Sequence, residues 1–382
     1  MAQGRPGHLH EDVLIMKTIV IDARTIDSST GKYTQALLHH LNASYATSFH
    51  FVVVTPPASR QHWQTTYPNL LVEPAHEKSY SVAEQTSFVR RLESYHPDLV
   101  HFTMPQQPFL WVKPSVTTIH DLTLVRYDNI DMNRLVYKMK KGIFISLLRT
   151  VVARSKAIIT PTHYVKNDVL DYMGRRYGKK IHVTLEAGEI INATPTAIDE
   201  LVGRRFLLFV GNAFPYKNVG RIIEAFALLK QRYPDLHLAL AGKKDFFYDQ
   251  HQDYAARHGL RDVHFLGFIS DGEKRWALHH CELYIAASLS EGFDMPTLEV
   301  MHEGAPLVAS NATCHPEVIG NAGVFFDPHS TDDLVRAVSR VIDSPRLRSS
   351  LIRKGHARVR QFSWARMADE TVAVYRQVLG ES

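Results

Sequence analysis

Two acids, Glu291 and Glu299, stand in the run IAASLSEGFDMPTLEVMHEGAPLVAS, from Ile285 to Ser310. Carboxylates can accept hydrogen bonds from sugar or ribose hydroxyls. What surrounds this pair offers a seat for an anion. Ile285 to Ser288 reads as a short buried strand, and Leu289 to Met295 reads as a loop. Pro296 suits the first position of a helix, because its φ is already helical and its missing N–H has no partner there anyway. Gly304 followed by Pro306 stops that helix, and Leu307 to Ser310 reads as the next strand. This is a βαβ unit, and ligands of open parallel sheets sit at the carboxyl ends of the strands. The unpaired N–H groups and positive dipole end of the helix favour phosphate. The backbone from Gly292, Phe293 and Asp294 through Met295, Pro296 and Thr297 is therefore the expected phosphate seat. Taken singly, Glu299 reads as a surface acid at a helix start and Glu291 as a solvated loop acid. The run as a whole is more specific than either.

Other chemistry-bearing residues fall at similar junctions. The loop Gly211-Asn212-Ala213-Phe214-Pro215-Tyr216-Lys217-Asn218 follows a strand at Phe206 to Val210 and carries a cation, Lys217. It lacks the Gly-Lys-Ser/Thr end of a P-loop. Val116 to Ile119 reads as a strand that runs straight into His120-Asp121. A lone histidine is usually a hydrogen-bonded core residue, but a strand's carboxyl end is a site position in this topology. Gly31 ends the Ser28-Ser29-Thr30-Gly31 loop after the first strand, Lys17 to Ala23, and glycine lets a backbone approach a ligand closely. Val263 to Ile269 is a strand with a Gly267-Phe268 turn.

The set Ser288, Glu291, Gly292, Phe293, Asp294, Pro296 and Glu299 resembles the Glu-x7-Glu motif of the retaining glycosyltransferases of family 4, the glycosyl transferases of group 1. Their usual surround is Ser-x-x-Glu-Gly-Phe-Gly-x-Pro-x-x-Glu-Ala. Thr118-Ile119-His120-Asp121-Leu122, Asp22-Ala23-Arg24 and Thr30-Gly31-Lys32-Tyr33-Thr34 add to the likeness, which covers nearly the whole chain from Met16. The resemblance implies an α/β, GT-B architecture: two doubly wound Rossmann-like domains facing across a cleft. It implies transfer of a hexose from a nucleotide-diphosphate sugar to a saccharide or lipid-linked acceptor, in polysaccharide or glycolipid biosynthesis. His120, Lys217 and Glu291 are then the expected catalytic set. Lys217, with Gly211 and Asn212, meets the diphosphate, as does the Gly31 loop from the other domain. Glu291 holds sugar hydroxyls, Glu299 ribose hydroxyls, and His120 orients the sugar. Backbone groups at Gly267 and Phe268 cradle the base. The likeness to relatives that use GDP-mannose makes that donor the expectation. No Asp-x-Asp motif offers a metal site, so metal-independent transfer without a cofactor is expected.

The sequence departs from this pattern near the motif. Asn212 and Tyr216 stand where relatives carry an arginine, one glycine replaces two at Gly31, and His302 and Glu303 stand where small residues are usual. Asp294 replaces the second motif glycine; its carboxylate is expected to cap the helix. These departures motivate one alternative, a catalytically silent partner subunit. Another GT-B enzyme, such as a sugar-nucleotide epimerase or a phosphorylase, is the second.

The whole chain must position these groups. Its 382 residues, 45% hydrophobic, fit two domains. The net charge of +5 comes with no nucleic-acid motif, so nucleic acid is not an expected partner. Two cysteines without a CxxC fit a reducing, cytoplasmic setting. Residues 1–15 read as a disordered leader, with Met16 a second candidate start. Residues 16–195 form the expected acceptor domain and 203–362 the donor domain, joined by a linker at Asn192 to Gly203. A terminal helix, 363–382, is expected to pack back on the first domain. Asn133 to Arg154 reads as a helix packed on the core whose lysines could touch an anionic membrane surface. No apolar run is long enough for a span.

Overall fold

The computed structural model describes residues 16–128 and 134–381. The leader expected at 1–15, Asn133 at the head of its helix, and Ser382 lie outside the described residues. Among the described residues thirteen strands form two parallel sheets. The first contains β1 (Thr18–Asp22), β2 (His50–Thr55), β3 (Leu71–Pro74), β4 (Leu99–Phe102), β5 (Ser115–Thr118), β6 (Ala157–Thr160) and β7 (Ile181–Val183), in the order β3-β2-β1-β4-β5-β6-β7. The second contains β8 (Arg205–Val210), β9 (Leu236–Ala241), β10 (Val263–Gly267), β11 (Leu283–Ala286), β12 (Leu307–Ser310) and β13 (Gly323–Phe326), in the order β10-β9-β8-β11-β12-β13. Strands such as FLLF of β8 and LVAS of β12 are buried throughout because helices cover both faces of each sheet. The strand order reverses between β1 and β4 and again between β8 and β11. Each reversal splays two loops apart at the carboxyl edge and leaves a crevice.

The helices account for the rest of the packing. The Val219–Arg232 helix buries Ile222, Ile223, Phe226 and Leu229 on one face against the second sheet, at the 3–4 spacing of an amphipathic helix. The Trp364–Leu379 helix places Met367, Ala368, Val372 and Tyr375 in the core of the first sheet, beside Leu37, Leu38 and Leu41. Its tie is also polar: His101 Nδ1 lies 2.6 Å from the Tyr375 hydroxyl, and His101 Nε2 lies 2.9 Å from Thr118 Oγ1. Burial pushes the His101 imidazole down to about 3, so the ring is neutral.

The chain crosses between domains earlier than the sequence suggests. The first sheet ends at Val183, and Ala187 and Ile191 already belong to the core of the second domain. So do Ile198 and Leu201 of the expected linker. Scattered single apolar residues gave no period to read, yet each fills a site on the second sheet. The helix at Arg134–Arg154 divides in two. Phe144, Leu147, Leu148, Val151 and Val152 are buried, whereas Leu135 is 77% and Met139 60% exposed near Lys138.

Candidate active site

The loops after β8 and β11 meet at the crevice of the second sheet. Pro215–Lys217 form one 3-10 turn after β8. Asn218, at φ 59°, ends it and fixes the loop by donating its side-chain amide to the Ala287 and Pro328 carbonyls at 3.2 and 2.9 Å. From this turn Lys217 Nζ reaches Glu291 Oε1 at 2.6 Å, with both side chains 14% exposed. Burial works against the lysine's charge, but Glu291, Asp294 and Tyr216 outweigh it and hold the ammonium well above its ordinary range. Burial pushes Glu291 upward, and Asp294 adds to the push against the pull of Lys217.

The first domain supplies the opposite wall. His120 follows β5, with Nδ1 2.9 Å from Glu186 Oε1 and Nε2 3.0 Å from the Thr103 carbonyl. Burial lowers the imidazole, but the hydrogen bond and charge of Glu186 prevail and raise it. Both ring nitrogens are thus engaged by protein, and the ring rests edge-on against Tyr33 at 4.9 Å. His120 and Asp121 line a pocket of about 210 Å³ with Thr30, Gln106, Tyr127 and Tyr216, residues of both domains. Gly292 of the second domain abuts the His120 loop. A Cβ there would sit 1.8 Å from the His120 carbonyl oxygen, so only glycine allows the two loops to touch. Around that contact Thr162 Oγ1 donates to the Gly292 carbonyl at 2.9 Å, and the Thr123 and Ser290 hydroxyls lie 2.9 Å apart. The amides of His163 and Tyr164, at the start of the His163–Met173 helix, each donate at 2.8 Å to the Glu317 carboxylate of the other domain.

The Met295–His302 helix begins one residue before Pro296. Several residues expected at the donor serve other ends. Thr297 donates its amide and hydroxyl to the Asp294 carbonyl, at 3.0 and 2.8 Å, and is not open to phosphate. The Asp294 side chain does not cap the helix; it points to His315, 2.9 Å away. Phe293 is buried against Phe362. Glu299 pairs with Lys274 at 2.6 Å, and burial holds it above the usual carboxylate range in spite of that lysine. Both peptide groups of Gly267 are engaged within the protein: its amide donates to the Tyr248 hydroxyl at 2.7 Å, and its carbonyl accepts from the Gly242 amide at 2.8 Å. Phe268 beside it is 87% exposed. Gly211 donates to the Ala241 carbonyl, and Asn212 accepts from the Phe214 amide at 3.4 Å, so both shape the Lys217 loop. The Gly31 requirement is local, since a Cβ would meet the Ile26 carbonyl at 2.1 Å. Glu303 is accommodated by donors from Arg275, His279 and His302 that hold its carboxyl low against the push of burial.

Glu186, Lys274, His315 and Glu317 carry no motif and went unread in the sequence. Each partners a residue that did stand out, or its loop, across a long stretch of chain, a relation that spacing alone does not encode.

Comparison with known proteins agrees with this geometry. Residues 30–184 match the family described as Glycosyltransferase Family 4, and residues 195–358 match Glycosyl transferases group 1. The O-antigen chain mannosyltransferase B of Escherichia coli is 25% identical over 273 residues, 69% of this chain and 70% of that protein. A serotype-specific mannosyltransferase, WbdA, of the same organism is 26% identical over 321 residues, 79% of this chain but 38% of its own length. Among solved structures, a sucrose-phosphate synthase of Thermosynechococcus elongatus superposes with a TM-score of 0.75 at 16% identity, covering 96% of this chain and 100% of the other. Anabaena HepE in complex with UDP superposes with a TM-score of 0.71 at 17% identity, over 95% of this chain and 100% of the other. With two facing sheets, a cation and two acids at the second sheet's crevice, and both halves matched in order, the chain belongs to the group 1, family 4 glycosyltransferases and is a glycosyltransferase of GT-B architecture.

Proposed function

We propose that the chain is a retaining, metal-independent hexosyltransferase that uses a nucleotide-diphosphate sugar, GDP-mannose in our reading, in polysaccharide or glycolipid synthesis. The observation that carries this is the Lys217–Glu291 pair at the β8/β11 crevice, beside the start of the Met295–His302 helix and facing His120. Transfer breaks the anomeric C–O bond, and negative charge grows on the leaving phosphate. Lys217 and the amides of Asp294 and Met295, which meet no acceptor among the described residues, are placed to take that charge. Glu291 shares one oxygen with Lys217 and keeps the other for sugar hydroxyls. Glu299, with Lys274 beside it, takes ribose hydroxyls. A sugar hydroxyl replaces the Thr103 carbonyl as acceptor for His120 Nε2. The acceptor hydroxyl attacks from the leaving-group face and gives its proton to the departing phosphate. The mannosyltransferase relatives support the choice of mannose.

A lipid-linked acceptor is supported by a pocket of about 350 Å³, lined by Tyr80, Leu124, Ile143, Phe144, Lys140 and Lys141. It shares Leu124 and Phe144 with the pocket that holds His120. The exposed Leu135 and Met139 beside Lys138 extend an apolar, basic surface from it, suited to the face of an anionic membrane. Among the described residues no helix is long and apolar enough to cross a membrane. Thermal-shift and donor-hydrolysis assays with GDP-, UDP- and ADP-hexoses, with the product's anomeric configuration read by NMR, test the donor and retention. An inverted product or a lack of donor turnover would sink the reading. Sedimentation with anionic liposomes tests the surface, and binding must fall as salt rises.

A further inference from the structure

Asp294 is an acid placed where an anion has to bind. It stands before the first turn of the Met295–His302 helix with φ 61° and ψ 61°, a left-handed conformation that costs a side-chain-bearing residue and suits glycine. Its side chain is 5% exposed. A carboxylate in that position competes with any diphosphate for the helix amides and for Lys217. Its own helix offers it little. Pro296 has no N–H, and the Thr297 amide is already bound to the Asp294 carbonyl. Left free, the carboxylate has Lys217 as its nearest compensation, and the two already interact.

The structure turns it away. Asp294 Oδ2 accepts from His315 Nε2 at 2.9 Å, and His315 is fully buried. The other ring nitrogen, Nδ1, lies 2.8 Å from Ser310 Oγ and 3.2 Å from the Ser310 carbonyl. The Ser310 hydroxyl proton is committed to the Ser288 carbonyl at 2.6 Å. Nδ1 therefore meets only acceptors and carries a hydrogen, and Nε2 donates to the carboxylate. Burial favours protonating Asp294, but the His315 hydrogen bond and the charges of Lys217 and His315 prevail and hold it below the usual carboxylate range. With His315 charged, Lys217, Glu291, Asp294 and His315 sum to neutrality. Without that charge the mouth of the site is net negative.

We propose that His315 is a positioning residue for donor binding: it draws the Asp294 carboxylate off the start of the Met295–His302 helix and balances its charge, so that a nucleoside diphosphate reaches Lys217 and the helix amides. The proposal rests on the donor reading above and adds a residue pair to it. The test is binding of GDP by calorimetry and donor kinetics for wild type, His315→Gln, Asp294→Gly and the double variant. Gln keeps one donor and removes the charge. We expect His315→Gln to weaken GDP binding and raise the donor KM about tenfold, with kcat changed less than threefold. Asp294→Gly, placed in the His315→Gln background, should recover most of that loss, because the misplaced anion is gone. A purely structural role for His315 predicts no recovery. A double variant as impaired as His315→Gln alone overturns the proposal. So does His315→Gln binding GDP like wild type, in which case the donor reading survives. If neither GDP nor UDP binds wild type, the donor reading fails and this proposal with it. Should His315→Gln not fold, Asp294→Gly alone decides: tighter GDP binding supports the proposal, and unchanged or weaker binding overturns it.

Discussion

The Gly292–His120 contact gives a sharp test of how the two domains must meet. Replacing Gly292 with alanine adds one methyl. That carbon would lie 1.8 Å from the His120 carbonyl oxygen and 3.1 Å from Asp121 Cβ, and real Cβ contacts are not found under 3.0 Å. One loop must therefore retreat by about 1.2 Å. Neither loop can do so by turning a side chain, because the obstacle is backbone on both sides. The Gly292 carbonyl is also tied to Thr162, and Ser290 to Thr123, so the retreat separates the domains at the reacting centre. A displacement of about 1 Å from productive geometry can cost ~10²-fold in rate. We expect Gly292→Ala to lower turnover by about that factor. Stability should change little, since the domains keep their separate cores and can relax by opening. The assay is steady-state transfer, or donor hydrolysis, alongside thermal unfolding. Turnover within threefold of wild type would refute the idea that this contact sets the geometry. A large drop in the unfolding midpoint would show that the methyl damages the fold instead.

Three further outcomes are expected. Lys217→Ala should lower turnover by ~10²–10³, with wild-type activity unchanged in excess EDTA; activity restored only by a divalent ion would contradict the metal-independent reading. Glu186 raises the His120 imidazole, so their pairing adds stability that is full below about pH 6.5 and fades as pH rises through the higher folded value. Glu186→Gln should then destabilise more at pH 6 than at pH 9, read as the difference in urea midpoint from wild type; an equal loss at both values would count against the pairing. Glu317→Ala removes the carboxylate that accepts the His163 and Tyr164 amides across the cleft. Hydrogen bonds to charged groups are worth about 1.5–3 kcal/mol, and small-angle scattering should show a larger radius of gyration; an unchanged radius would mean that this clamp does not hold the domains together.

How much of this was legible follows from what a motif encodes. The strand Leu307–Ser310 was read with its observed bounds, because a short apolar run between turn residues in a parallel sheet has little ambiguity. The Lys217 and Glu291 loops were both expected at strand ends of one site, but the ion pair between them was not read. Which atoms remain free was not legible either. Phe293 stands inside the motif yet packs on Phe362, Thr297 spends its amide on its own turn, and Gly267 is bonded on both sides. The partners Glu186, Lys274 and His315 belong to other elements, and no local pattern links them to His120, Glu299 and Asp294. The crossing between the domains was misplaced because Ile191, Ile198 and Leu201 are isolated in sequence and meet only on the folded sheet.

The helix that returns to the first sheet has a consequence for the order of synthesis. The first domain leaves the ribosome first, with Ile19, Leu37, Leu41 and Val53 already made. Its core also needs Met367, Ala368, Val372 and Tyr375, which arrive after the entire second domain. His101, buried and neutral, waits for the Tyr375 hydroxyl, 274 positions further along the chain. The second domain needs nothing from beyond Phe362 for most of its core, so it can close first. The nascent chain thus carries an open apolar groove on its older half while its younger half is already folded. Chaperone occupancy should concentrate on that groove, and a chain interrupted before Trp364 should keep it.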